Sequence, residues 1–225
     1  MASARLVDHF PGLSPVQRNQ IVSLFTRKEY ESDDYIFFEG DAPGRLWFVD
    51  EGRVKLLKHS DVGKDVIVSV ISGGEFLGES AVHEGTPYPV TAQAVGPTGM
   101  LSLSAHAYLD LLHRHPDLSI VIIDRLGSRL NEAYDTIRSL AVERVERRIA
   151  RLLLKLAASV GKPTERHIVI DMPLTRQDIA DMTGTTVESA IRVMSKFRKK
   201  GWIASRDGKV HLTEPHALVV IADEL

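Results

Sequence analysis

The chain has 225 residues, 44% hydrophobic and 26% charged, with a formal net charge of −2 and no cysteine. That length supports two domains with separate cores, and the missing cysteine excludes disulfides, thiolate chemistry, cysteine-bound iron–sulfur clusters and cysteine-based zinc sites. No apolar run approaches membrane-spanning length and the opening MASARLVDHFPGL lacks a signal-peptide layout, so a soluble, cytoplasmic protein without a membrane partner is expected.

The charge is unevenly spread. Residues 1–140 carry 13 Lys and Arg against 19 Asp and Glu, whereas residues 141–225 carry 15 against 11. A basic carboxy-terminal half is what attraction to phosphate requires, and an acidic amino-terminal half argues for a different task there.

In chain order, a short helix is predicted with Ser14 as its cap and Pro15 at its first position, carrying Ile21, Leu24 and Phe25 inward. From Lys28 to Leu103 the period changes to short β-rich runs at 35–38, 46–49, 54–57 and 66–70. Glycine-bearing turns separate them at Gly40, Gly52, Gly63, Gly73-Gly74, Gly85 and Gly96. Strands at this spacing predict a sandwich or jelly roll, whose interior either holds one ligand or is filled by its own side chains.

A long helix follows from about Leu118 to Leu140. Ile123, Leu126, Leu130, Ala133, Ile137 and Leu140 recur at 3-4-3-4 spacing, a heptad seam that predicts a parallel homodimer. Ile120, Val121 and Ile122 widen the apolar face at the start, as a core helix packed on its own barrel would.

The densest signal is LTRQDIADMTGTTVESAIRVMSKFRKKGWIASRDGKVHL, residues 174–212. Thr175 and Asp178 form a capping box for a helix with Ile179, Ala180 and Met182 inward, and Gly184 turns the corner. Thr186 caps a second helix with Ala190, Val193, Met194 and Phe197 on its buried stripe. A hairpin from Ile203 to Leu212 then turns at Asp207-Gly208, a type I′ signal. This is a winged helix-turn-helix, and double-stranded DNA is the expected partner.

On the second helix, Glu188 and Arg192 stand four apart in the first turns. An arginine fork suits guanine O6 and N7 while a carboxylate accepts from cytosine N4, so the two side chains suit a G·C pair; alone they would also pass for an exposed ion pair. Thr175, Arg176, Gln177, Thr186, Ser189, Lys196, Lys199, Arg206 and Lys209 are the candidate contacts to the DNA backbone.

FFEGDAPGRLWFVDEGRVKLL, GGEFLGES, RSLAVERVERRIARLLLKLA and the helix-turn-helix together resemble the CRP/FNR family of bacterial transcription regulators, in order and over nearly the whole chain. The resemblance implies an α+β chain with three parts. These are a cyclic-nucleotide-binding-like β-roll (1–117), a dimerisation helix (118–140) and a winged helix-turn-helix domain (141–225), with a hinge near Leu140 to Val145. It implies RNA polymerase as a further partner and a pseudo-palindromic site with a G·C pair in each half. TVESAIR is closer to the FNR-type recognition helix. Glu188 and Arg192 match the base-reading carboxylate and arginine. Val187 and Ile191 occupy two more base-reading positions, where cyclic-AMP-binding members have an arginine and FNR-type members a serine.

The effector pocket implied by the resemblance comprises Gly78, Glu79, Ser80, Thr86, Arg129 and Tyr134. Gly78-Glu79 matches the ribose-contacting pair, but Thr86-Pro87 replaces the Arg-Ser that holds the cyclic phosphate, and Pro87 and Pro89 lack N–H groups. Ala133 and Tyr134 replace the adenine-contacting pair, and Glu79 also reads as a structural acceptor in its turn. Tyr134 either reaches the pocket or packs at its mouth. No cofactor is predicted: cyclic AMP is not expected, and haem would rest on His83 alone, in a polar loop. His113 and His115 read as a solvated helix end.

The reading is a homodimeric regulator active without an effector. Its alternatives are gating by another small molecule (another nucleotide or haem) and a ligand-binding module with a vestigial DNA-binding domain. A metal-dependent jelly-roll enzyme is not expected, since residues 28–103 hold only His59 and His83.

Overall fold

The computed structural model describes residues 4–10, 13–59, 65–164 and 167–223. The chain divides into two compact units, Met1–Asn131 and Glu132–Leu225.

The first unit opens with helices α1 (Ala4–Val7) and α2 (Pro15–Ser23). Ser14 and Gln17 close a capping box on α2, with Pro15 at its first position. Ile21 and Val22 are buried, but Leu24 is exposed because the helix has ended by that residue. Strands β1 (Thr26–Tyr30), β2 (Tyr35–Phe37), β3 (Arg45–Glu51), β4 (Arg53–His59), β5 (Asp65–Ser72) and β6 (Phe76–Leu77) follow. Helix α3 (Glu79–Glu84), strands β7 (Thr91–Ala94) and β8 (Thr98–Ser104), helix α4 (Ala105–Arg114) and the long helix α5 (Pro116–Val142) complete the series.

The strands form two four-stranded antiparallel sheets, in the orders β1-β8-β3-β6 and β2-β7-β4-β5, which is the expected β-roll. Most of the expected glycine turns lie at positive φ: Gly40, Gly52, Gly74, Gly85 and Gly96. The Gly63 turn lies outside the described residues.

β3 carries apolar residues at consecutive positions because both its faces are covered. Leu46 and Phe48 point toward the helices, joining Leu6, Phe10, Leu101, Leu103, Tyr108 and Leu118. Trp47 and Val49 point into the roll, joining Phe37, Val54, Leu77, Tyr88 and Met100. The two-residue period of a strand thus feeds two cores from one segment. α5 enters the outer core at its start through Leu118 and Ile122, while Ile120 is exposed.

The second unit takes the end of α5 and helix α6 (Val145–Val160). β9 (Gly161–Pro163) and β10 (Ile168–Ile170) precede helices α7 (Arg176–Thr183) and α8 (Val187–Lys199). β11 (Ile203–Arg206), β12 (Lys209–Leu212) and α9 (Pro215–Asp223) close it. A third antiparallel sheet runs β11-β12-β10-β9. α6 is the spine: its buried stripe, Ile149, Ala150, Leu153, Leu156 and Val160, packs against α7, α8 and α9.

Phe48 is wholly buried, its ring 4.8 Å from that of Phe76 and 5.3 Å from His9. Phe48→Ala is expected to destabilise the roll by about 3–5 kcal/mol, while Leu24→Ala changes it by less than about 0.5 kcal/mol. Urea unfolding in a Trp202→Phe background, where Trp47 is the only indole, measures both.

Candidate nucleic-acid interface

Each local element of the helix-turn-helix has a visible cause. Thr175 Oγ1 accepts from Asp178 N at 3.0 Å, and Asp178 Oδ2 accepts from Thr175 N at 2.8 Å. Gly184 ends α7 in the left-handed region, at φ 59°. Thr186 caps α8 by accepting from Ser189 N at 3.3 Å. Ala190, Val193, Met194 and Phe197 are all buried, as their spacing predicts. On α7, Ile179 and Ala180 are buried, but the third inward residue is Thr183 and not Met182, which is half-buried. Thr183 satisfies its hydroxyl by donating to Ile179 O at 2.6 Å, so a polar side chain is accommodated in that core. In the hairpin, Asp207 and Gly208 both take positive φ, 51° and 72°, as a type I′ turn requires.

The outer face of α8 presents Glu188, Ile191 and Arg192 to solvent, with Val187 half-buried beside them. Arg192 Nη2 donates to Ser189 Oγ at 3.3 Å, which holds the guanidinium along the first turns of the helix.

The surrounding basic residues are not equivalent. Lys199 and Arg206 are exposed. Lys196 Nζ lies 2.6 Å from Glu146 Oε1. Arg176 is half-buried and reaches Ser205 Oγ at 3.5 Å, and burial followed by the charge of Arg198 lowers its pKa. Gln177 donates to Asp181 Oδ1 at 2.7 Å. Lys209 Nζ is 2.5 Å from Asp171 Oδ1, so its ammonium is turned to a carboxylate at the end of the neighbouring strand β10. Sequence reasoning missed Asp171, because the pairing depends on β10 lying beside β12. It also missed a histidine pair between β12 and the residue before β10, His211 Nδ1 to His167 Nε2 at 3.0 Å.

The seam residues of α5 are unburied. Ile123 is 65% exposed and Ile137 63%, Leu130 and Leu140 are also exposed, and Leu126 is half-buried. Leu140 has a second contact: a Cβ on Gly184 would lie 2.6 Å from its Cδ2.

Within the first unit the structure joins Gly78, Glu79 and Arg129. Gly78, at φ 85°, precedes α3, and Glu79 is buried at its first position. Arg129 Nη1 donates to both Glu79 carboxylate oxygens at 3.3 Å, and Nη2 donates to Phe76 O at 2.5 Å. Glu79 is thus an acceptor inside its own unit. Ser80 and Thr86 are exposed, the latter's N–H spent on Ala81 O at 3.1 Å. Tyr134 belongs to the second unit and is exposed.

Tyr88, two residues beyond Thr86, was not anticipated. Its ring stacks on Phe37 at 4.1 Å inside the roll and leaves no room for a Cβ on Gly78. Its hydroxyl donates to Arg45 O at 2.5 Å and accepts from Arg45 N at 3.1 Å. The cavity that touches Glu79 lies on the helix side, among Phe10, Phe76, Tyr108, Leu118 and Ile122, and measures about 30 Å³. Burial, with the Glu79 charge behind it, pushes the Tyr108 phenol well above its ordinary range. Among the described residues, no group of three or more His, Asp or Glu stands close enough to hold a metal, and no helix is long and apolar enough to cross a membrane.

Family comparison accounts for both units. Residues 27–115 match the model of the cyclic nucleotide-binding domain, and residues 147–221 match that of the Crp-like helix-turn-helix domain. The chain belongs to the CRP/FNR family of transcription regulators. It is 28% identical over 213 residues to the cyclic AMP receptor protein of Thermus thermophilus, covering 95% of each chain. Over 191 residues it is 28% identical to the global nitrogen regulator of a Synechocystis strain, covering 84% of this chain and 85% of the other. A solved CRP/FNR-family transcriptional regulator from T. thermophilus superposes with a TM-score of 0.75 at 26% identity, over 88% of this chain and 99% of that one. FixK2 of Bradyrhizobium japonicum shares the fold, with a TM-score of 0.78 at 19% identity, over 89% and 98%. This CRP/FNR member joins a cyclic nucleotide-binding-type β-roll to a Crp-like helix-turn-helix.

Asp171 also generates a pH dependence. Hydrogen bonds from Lys162, at 2.6 Å, and Lys209 lower its pKa to about 2. The folded value lies below the ordinary value of about 3.9, so its stabilisation is complete at neutral pH and is lost as pH falls from about 4 through about 2. Thermal melts should show Asp171→Asn less stable than wild type at pH 7 and the difference closing toward pH 2.

Proposed function

We propose that this CRP/FNR regulator is a homodimer that reads a pseudo-palindromic DNA site through Glu188 and Arg192 and binds it without cyclic AMP. The observation that carries the DNA reading is α8, whose apolar stripe is wholly buried while Glu188, Ile191 and Arg192 face solvent at the helix's amino-terminal end. A recognition helix needs that division between a packed face and a face free for the major groove.

The dimer reading rests on the exposed Ile123–Ile137 stripe, an apolar face that a second α5 would cover. In this reading residues 118–140 are the dimerisation helix between a roll domain, 1–117, and a DNA-binding domain, 141–225. Two recognition helices related by a two-fold axis then meet half-sites about one turn, roughly 34–36 Å, apart. RNA polymerase is the expected further partner. Val187 and Ile191 supply apolar contacts, such as to thymine methyl groups, and no hydrogen-bond readout at their positions.

Independence from cyclic AMP rests on the roll's own side chains. Glu79 is engaged by Arg129, Tyr88 fills the space beside Gly78, and the exposed Thr86-Pro87 segment offers no cation to a phosphate. A charged phosphate in a partly dry site needs such a cation or several N–H donors. Specific binding by ligand-free purified protein is therefore expected in gel-shift titrations. Specific binding that appears only after a nucleotide is added would refute it.

Arg192→Ala is expected to cost roughly 1–3 kcal/mol on the specific site and to relax preference at one G·C position. Lys199→Ala should weaken all sequences alike and reduce the salt slope by about one. Titrations on specific and random duplexes across a salt series separate the two roles, and an equal loss on both duplexes would make Arg192 a phosphate contact.

A further inference from the structure

Where α5 stops, four charged side chains of the second unit converge. α5 ends at Val142 and α6 begins at Val145. Between them the Glu143 side chain is only 4% exposed. Its carboxylate accepts from Ser139 Oγ at 2.6 Å and from Arg151 Nη1 at 2.5 Å, with Arg147 Nε at 3.7 Å.

Arg148 leaves the same helix in another direction. Its Nη1 donates to the Glu143 backbone carbonyl at 2.7 Å, its Nε to Thr183 O at 2.9 Å and its Nη2 to Gly184 O at 3.4 Å. Thr183 and Gly184 end α7, where carbonyls have no helical partner and carry the negative end of the helix dipole. A guanidinium suits that place, being a planar fork able to bond several acceptors at once. Leu140, from the last turns of α5, packs on Gly184 itself. The turn that launches α8 is therefore held by Leu140 through packing and by Arg148 through hydrogen bonds. Arg148 is in turn bonded to the residue whose carboxylate fixes the α5–α6 break.

We infer that Glu143 and Arg148 are positioning residues, which hold the recognition turn rigidly to the last turns of α5 and so set the half-site spacing that the dimer accepts. Neither needs to touch DNA. The inference rests on the two-fold reading proposed above. A buried ion pair is weak evidence for stability, but it can fix one geometry among several, which is the role assigned here. If the clamp were lost, α8 would still carry its base-reading side chains, but its distance from the dimer helix would no longer be fixed.

The test uses the full-length protein and a site obtained from it by selection from random duplexes. That site is rebuilt with its two half-sites moved by one or two base pairs in either direction. One base pair shifts a half-site by about 3.4 Å and turns it by about 34°. Wild type is expected to prefer the selected spacing by about tenfold or more over its neighbours. Arg148→Met keeps the length of the side chain and loses its donors. It should shrink that preference at least about threefold, with random-duplex affinity and base preference within each half-site unchanged. Arg148→Lys, which keeps one donor, should fall between, and Glu143→Gln should follow Arg148→Met.

Active fractions from stoichiometric titration remove any effect of partial unfolding, which lowers the amount of binder but leaves the spacing ratio alone. Should a variant fail to fold, the remaining two decide. Variants that keep the wild-type ratio overturn the inference and leave the two-fold reading standing. A wild type indifferent to spacing overturns both.

Discussion

A carboxylate buried at a break between two helices is the constraint around which the DNA-binding unit is arranged. An ionised acid taken out of water costs several kcal/mol unless it is paired and hydrogen-bonded. Arg147 and Arg151 stand four apart on α6, a like-charged pair that would repel on an exposed helix. Glu143 removes that repulsion, and the arginines remove its own penalty. Burial alone would push the carboxyl up, but the Ser139 hydroxyl and the two guanidinium groups more than reverse this, leaving it below the ordinary carboxylate range. Both arginines also donate to Ala222 O, at 2.9 and 3.1 Å, so α9 is drawn into the same arrangement. One charge thus sets where α5 ends and how α6 and α9 lie against that end.

The roll follows a related logic around a different acid. Glu79 is buried at the first position of α3 and meets Arg129, while Phe76 O occupies the other nitrogen of the same guanidinium. The aromatic surface nearby is also internal, since Tyr88 stacks on Phe37 and exchanges two hydrogen bonds with the Arg45 backbone. A ligand entering there would have to replace these contacts before gaining any of its own. It can shift the protein between states only by its differential affinity for them.

Legibility in the sequence tracked the range of the interaction. The cap at Ser14, the capping box at Thr175, the Gly184 turn, the Asp207-Gly208 turn and the buried stripe of α8 involve residues within a few positions of one another, and the structure contains all of them. Strand β8 was not legible as a run of its own. It is buried along nearly its whole length yet spells TGMLSLS, with small and polar residues where a central strand usually has branched ones. The pairing of Lys209 with Asp171 joins residues 38 apart, and the contact of Leu140 with Gly184 is as remote in sequence, so spacing shows neither. The Glu143 cluster did leave a trace: acid, arginine, arginine at steps of four through Glu143, Arg147 and Arg151. Spacing alone does not tell a solvated charged face from a buried one. Only the packing of α9 decides that.

The same distinction changes the meaning of the basic carboxy-terminal half. Charge counted along the chain measures attraction at a distance, which steers association, whereas contact at phosphates is made by cations that can leave their protein partners. Lys196 is paired with Glu146 and Lys209 with Asp171, and Arg176 is half-buried against Ser205. For the two lysines, a phosphate would exchange one anion for another, a smaller gain than neutralising a solvated charge. Lys199 and Arg206, exposed and without an ion pair among the described residues, face no such exchange. The basic residues are therefore graded: Lys199 and Arg206 are exposed, whereas Lys196 and Lys209 are ion-paired to carboxylates of their own unit. In the proposed reading, that division places the burden of affinity on fewer contacts than the composition suggests and leaves the placement of α8 to decide which sequences those contacts reach.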